Sequence, residues 1–125
     1  MIMEKQIMNF EVNSNIYKLI VVDELEDSYF GLTKYDESKV VLRKLDINSM
    51  IRTLKHELTH VWLWEYGHHQ HEREFTHEDV CEIVACSNNF INGIVRTFKT
   101  VYAEINTEVD TKSKKSKNKA GDYIG

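Results

Sequence analysis

Thr53-Leu54-Lys55-His56-Glu57-Leu58-Thr59-His60 is the stretch on which the reading of this chain turns. Its last five residues match the pattern H-E-x-x-H, which on a helix sets two metal-ligand side chains beside a carboxylate. An α-helix advances about 100° and about 1.5 Å per residue, so His56 and His60 share nearly one face, roughly 6 Å apart along the axis. Two imidazoles so spaced can converge on one Zn²⁺ at about 2.0–2.1 Å each. Glu57 follows the first histidine and can lean toward a water on the metal without being a ligand. The combination points to metal-activated water attacking a carbonyl.

The flanking residues supply the helix. Ile51, Leu54, Leu58, Val61, Trp62 and Glu65 keep helical spacing, all but the last apolar. Asn48 or Ser49 is the expected N-cap, and Gly67 fits the position just past the C-terminal end. His56 and His60 lie beside the apolar stripe rather than opposite it, so they can face a cleft at the edge of a core. Trp62 reads as core. Trp64 falls on another face, and burial against a sheet is its default reading, with a groove wall as the alternative.

Upstream the period changes to two. Residues of about 6–12 and 16–22 read as strands, with Asn13-Ser14-Asn15 as the turn between them. Residues 23–28 are acidic and loop-like. Tyr29–Lys34 and Lys39–Lys44 then flank Tyr35-Asp36-Glu37-Ser38, a hairpin with a four-residue connection. Downstream, Gly67–Phe75 is a polar, histidine-rich connection, and Thr76 with Asp79 forms a capping box for a second helix. Val80, Val84, Ile91, Ile94, Val95, Phe98, Val101, Tyr102 and Ile105 make its apolar stripe, and Gly93 marks an expected kink or break. From about Thr107 the pattern gives way to a Lys-rich solvated tail. The expectation is therefore a single α+β domain over residues 1–106: a small antiparallel or mixed sheet, the motif helix and a second long helix, followed by a disordered tail over 107–125.

Composition excludes several classes. With a formal charge of −4 no global basic field draws nucleic acid, and direct nucleic-acid binding is not expected. No apolar run is long enough to cross a bilayer, and the charged N-terminus lacks the apolar core of a signal peptide, which favours the cytoplasm. Cys81 and Cys86 have neither disulfide nor Cys-x-x-Cys spacing and read as reduced, partly buried thiols.

Two histidines make half a site, because catalytic zinc usually takes three protein ligands and one open position. The acidic residues of the second helix are the candidates for the third. Glu78 and Glu82 are four apart and share a face, whereas Asp79 is better explained as a cap. His68, His69, His71 and His77 lack ligand spacing on a defined element and read as solvated; one of them, or Tyr66, is a minor candidate for an oxyanion donor.

With these residues in view, the chain resembles the gluzincin-type short metallopeptidases, and among them the ImmA/IrrE-like family in its phage or mobile-element form. The H-E-x-x-H match carries most of the resemblance. Gly31-Leu32-Thr33-x-Tyr35-Asp36 and Val40-Val41-Leu42 are similar to the hairpin that precedes the motif helix in that family. Glu78-Asp79-Val80-Cys81-Glu82-Ile83-Val84-Ala85 aligns with its E-x-x-A-N-x-F-A-like segment, although Cys81, Glu82 and Val84 depart from it and nothing like Leu-Leu-Met-Pro follows Ala85. The resemblance spans roughly residues 6–90. It implies a zincin-like fold and a zinc metallopeptidase with His56, His60 and Glu78 as ligands and Glu57 as general base acting on a zinc-held water. It also implies a protein or peptide substrate, of the transcriptional-repressor type. The alternative is a non-enzymatic or latent zinc-binding interaction module, closed by a fourth side chain or opened by a partner.

Overall fold

Asn13 (φ 51°) and Ser14 (φ 67°) both adopt left-handed backbone and close the first hairpin. Positive φ at both central residues gives a turn whose twist matches the strands it joins, and Asn enters that region more readily than most residues. In the computed structural model, which describes residues 4–67 and 74–113 and side chains through residue 106, this turn joins β1 (Glu4–Val12) to β2 (Asn15–Val22). The second expected hairpin is also present: β3 (Gly31–Lys34) and β4 (Lys39–Arg43) pair antiparallel across Tyr35–Ser38. The four strands form one mixed sheet in the order β1-β2-β4-β3. Its central pair, β2 and β4, runs parallel, so the acidic segment 23–30 must cross over before β3 returns the chain. Two helices follow, α1 (Ile47–Glu65) and α2 (His77–Ser113).

The run Leu19-Ile20-Val21-Val22 explains the layering. Successive side chains of a strand point to opposite faces. Leu19 and Val21 join Val40, Leu42 and Phe10 in the main core beneath the helices, while Ile20, Val22 and Val41 form a second, smaller cluster with Leu25 and Leu32 on the other face. An uninterrupted apolar run is what a strand buried on both faces requires. From α1, Met50, Leu54, Leu58 and Val61 are fully buried in the main core. Each such side chain stabilises the fold by about 1.5–3 kcal/mol relative to exposure.

Several expectations change at the helix ends. The N-cap of α1 is Asp46 rather than Asn48 or Ser49; its carboxylate accepts from the Ser49 backbone N–H at 3.1 Å, and hydrogen bonding from the Ser49 side chain, then from its backbone N–H, holds the Asp46 pKa below the ordinary carboxylate value. A side-chain carboxylate three residues before an orphan N–H is the stronger acceptor. Gly67 (φ 84°) lies just past the end of α1, as expected. The capping box is present as read: Thr76 Oγ1 accepts from Asp79 N–H, and an Asp79 carboxylate oxygen accepts from Thr76 N–H, each at 3.0 Å. Gly93 does not end α2, which continues to Ser113, past the point at Thr107 where the apolar pattern fades. The stripe of α2 begins later than read: Val80 and Val84 are 50% and 57% exposed, and burial starts at Ser87 and Ile94. Cys81 and Cys86 are free and exposed, not partly buried. His68, His69, His71 and residues 114–125 lie outside the described residues. Among the described residues no helix is long and apolar enough to cross a membrane.

Candidate active site

One carboxylate of α1 is buried. Glu57 is only 6% exposed and sits between the fully buried Leu54 and Leu58 and the cleft. Burying a carboxylate without partners is costly, so its neighbours matter. Thr33 Oγ1, from edge strand β3, donates to Glu57 Oε1 at 2.6 Å. Oε2 is left to accept a second proton donor. The field of Glu57 also reaches Tyr35: burial first, and then the Glu57 charge, push the Tyr35 phenol above its ordinary pKa.

The contact between α1 and β3 depends on a glycine. A Cβ at Gly31 would lie 2.6 Å from Thr53 Cγ2 and 3.0 Å from the Val41 carbonyl oxygen. Thr53 cannot easily turn away, because its hydroxyl donates to the Ser49 carbonyl at 2.9 Å. The other end of α1 is clamped by Glu65, the one polar member of the predicted stripe. Its carboxylate accepts from Tyr17 Oη and Asn15 Nδ2, each at 2.6 Å, and its carbonyl accepts from Asn13 Nδ2 at 3.0 Å. Burial, followed by the hydrogen bond and charge of Glu65, pushes the Tyr17 phenol well above the usual tyrosine range. The helix is thus fixed to the first hairpin at one end and to the second along its middle.

His56 and His60 lie on the exposed side of this fixed helix, with ring centroids 4.9 Å apart and planes at 75°. Two imidazoles bound tetrahedrally to one Zn²⁺ at about 2.0–2.1 Å place their centroids roughly 5 Å apart. The centroid spacing is the one a shared zinc would require. The next residue on this line, Trp64, is 40% exposed and stacks on Tyr35 at 4.3 Å, so it forms a wall with β3's connection instead of burying against the sheet. At the opposite end, His56 and Glu57 line a cleft of about 470 Å³ bounded by Thr53, Arg52 and the segment from Ser28 to Gly31.

Glu78 and Glu82 are exposed in the first turns of α2. Glu82 accepts from the Cys86 thiol at 3.3 Å, and this bond raises the thiol pKa. Cys86 is therefore a weak nucleophile. The helices meet where Phe90 lies 5.5 Å from Trp62, and Phe90 is twelve residues beyond Glu78, about 18 Å along a helix. Among the described residues no three His, Cys, Asp or Glu side chains gather as a metal site, so Glu78 is not gathered with His56 and His60 into one group.

No family model, curated protein or solved structure matches this chain. The candidate site therefore stands on the chain's own residues. Sequence reasoning missed Thr33, Arg52 and Tyr35. Thr33 and Tyr35 carried a signal only as members of the Gly31-Leu32-Thr33-x-Tyr35-Asp36 turn, with no role attached to either.

Proposed function

We propose that this protein is a zinc-dependent metallopeptidase in which His56 and His60 hold the metal and Glu57 is the general base. The observation that carries the reading is a buried carboxylate, oriented by Thr33, next to two exposed imidazoles at the spacing of a shared zinc. Natural sequences rarely keep a carboxylate in a core without a use for it.

His56 and His60 would hold the zinc, which when bound would supply Lewis acidity and lower the pKa of water to about 7. Thr33 fixes Glu57 Oε1, so Oε2 is the oxygen that takes the proton from the attacking water. The hydroxide formed adds to the peptide carbonyl carbon. Glu57 then returns the proton to the amide nitrogen as the C–N bond breaks, leaving a carboxylic acid and an amine. General acid–base help of this kind contributes about 10²–10⁴ in rate. The family resemblance alone suggests the substrate: a protein or peptide, of the repressor-type regulatory class.

The test is cleavage of an unstructured protein such as reduced casein by zinc-loaded parent and Glu57→Gln protein. The variant should keep its zinc and lose cleavage. Equal cleavage by the two would refute Glu57 as base. Parallel Glu78→Gln and Glu82→Gln variants, titrated with zinc, assign the third donor.

A further inference from the structure

The cleft beside His56 is lined by side chains of both charges. Glu57 lies at its floor, and Arg52 lines it one turn back along α1. Among the described residues Arg52 has neither an ion pair nor a hydrogen-bond partner. The facing wall is Tyr29 and Phe30, which are 53% and 55% exposed. Two adjacent aromatic rings left half in water need a reason, and theirs is not slack backbone. The Phe30 carbonyl accepts from Arg43 N–H at 2.8 Å, and the Arg43 guanidinium lies 5.3 Å from the Phe30 ring centre. Phe30 is thus held in place, and both rings line the cleft.

We propose that this cleft selects peptides carrying a carboxylate about two residues from the bond presented at His56, with a bulky apolar side chain between them. Arg52 binds the carboxylate; Tyr29 and Phe30 hold the apolar side chain. The inference rests on the peptidase reading for the position of the scissile bond. Arg52 and His56 are four residues apart, about 6 Å along the helix. An extended peptide covers that distance in about two residues at roughly 3.3 Å each. The Glu57 charge sets the direction, since it repels an anionic group from its own end and leaves the Arg52 end as the favourable place. A free C-terminus and an acidic side chain supply the same carboxylate chemistry.

Binding to the metal-free chain, read by fluorescence anisotropy, separates the inference from catalysis. The probes are labelled Gly-Ala-Phe-Ala-Glu-Ala-amide, its Gln counterpart, and Gly-Ala-Phe-Ala as free acid and as amide. Parent protein should bind at least one carboxylate peptide about tenfold more tightly than its neutral partner, the scale of one solvent-screened charge-assisted hydrogen bond. Preference for the Glu peptide identifies a side-chain carboxylate; preference for the free acid identifies a C-terminus. Arg52→Gln should abolish the difference without weakening the neutral peptides, Arg52→Lys should keep part of it, and Phe30→Ala should weaken all four. Equal binding of charged and neutral peptides, a preference that survives in Arg52→Gln, or no binding of any peptide overturns the inference. Carboxylate preference without hydrolysis by the zinc-loaded protein would remove the peptidase reading, and the scissile-bond position with it, and leave the Arg52 carboxylate site standing. Hydrolysis without carboxylate preference would do the reverse.

Discussion

The middle of α1 and the first turns of α2 carry the same kinds of side chain at the same helical spacing. One holds His56, Glu57 and His60; the other holds His77, Glu78, Cys81, Glu82 and Cys86. Their surroundings differ. Around α1, β3 approaches so closely that only Gly31 fits, Thr33 orients the carboxylate, and Tyr35 and Trp64 close one side. At the start of α2 these side chains stand in water, as do Val80 and Val84, and among the described residues the Cys86–Glu82 and Cys81–His77 contacts stay within the helix. Spacing along a helix is therefore not enough to make a site. What distinguishes α1 is the second element packed over its polar face, which buries one charge and leaves two imidazoles beside it.

The largest effect expected from disturbing the α1 side is that of Glu57→Gln, a loss of about 10²–10⁴ in cleavage rate, measured on zinc-loaded protein. Cys86→Ser, on the α2 side, should leave that rate unchanged. Next comes Thr33→Val, which removes the donor from a buried carboxylate at nearly constant shape. It should lower stability by about 1.5–3 kcal/mol in urea denaturation and reduce cleavage as well. Gly31→Ala forces a methyl group against Thr53 and a backbone carbonyl, and should cost about 1–3 kcal/mol in the same measurement. If Gly31→Ala were neutral, the tight seating of β3 on α1 would be wrong.

A smaller effect is expected from pH. The Tyr17 phenol, buried against Glu65, titrates higher in the folded chain than in the unfolded one. Its contribution is therefore complete below its ordinary pKa of about 10 and fades as pH rises beyond it. Tyr35 acts in the same direction. The urea midpoint should fall above pH about 10, and more shallowly in Tyr17→Phe; identical slopes would contradict the clamp at Glu65. The smallest effect belongs to α2. Val80→Ala and Val84→Ala lose little burial and gain helix propensity, so each should leave stability unchanged or raise it by up to about 0.5 kcal/mol.

What was legible in the sequence was local. The Asn13-Ser14 turn, the hairpin around Tyr35–Ser38, the motif helix ending before Gly67 and the Thr76–Asp79 capping box each depend on residues a few positions apart, and each is present. The contacts that fix α1 against the two hairpins are not local. Thr33 reaches Glu57 across 24 positions, and Glu65 reaches Tyr17 across 48. Neither pairing leaves a periodic trace. The exposure of Val80 and Val84 was missed for a related reason. A helical stripe records which side of a helix is apolar, but not how far along it the neighbouring layer extends. Asp46 was missed as the cap because Asn48 and Ser49, both good capping types, stand just after it.

Zinc uptake by the metal-free chain, measured calorimetrically in the parent, His60→Ala and His77→Ala proteins, bears most directly on the difference between the two helices. The account predicts that parent and His77→Ala bind one zinc ion with the same affinity and that His60→Ala does not bind it. Undiminished zinc binding by His60→Ala, or loss of zinc in His77→Ala alone, would contradict it.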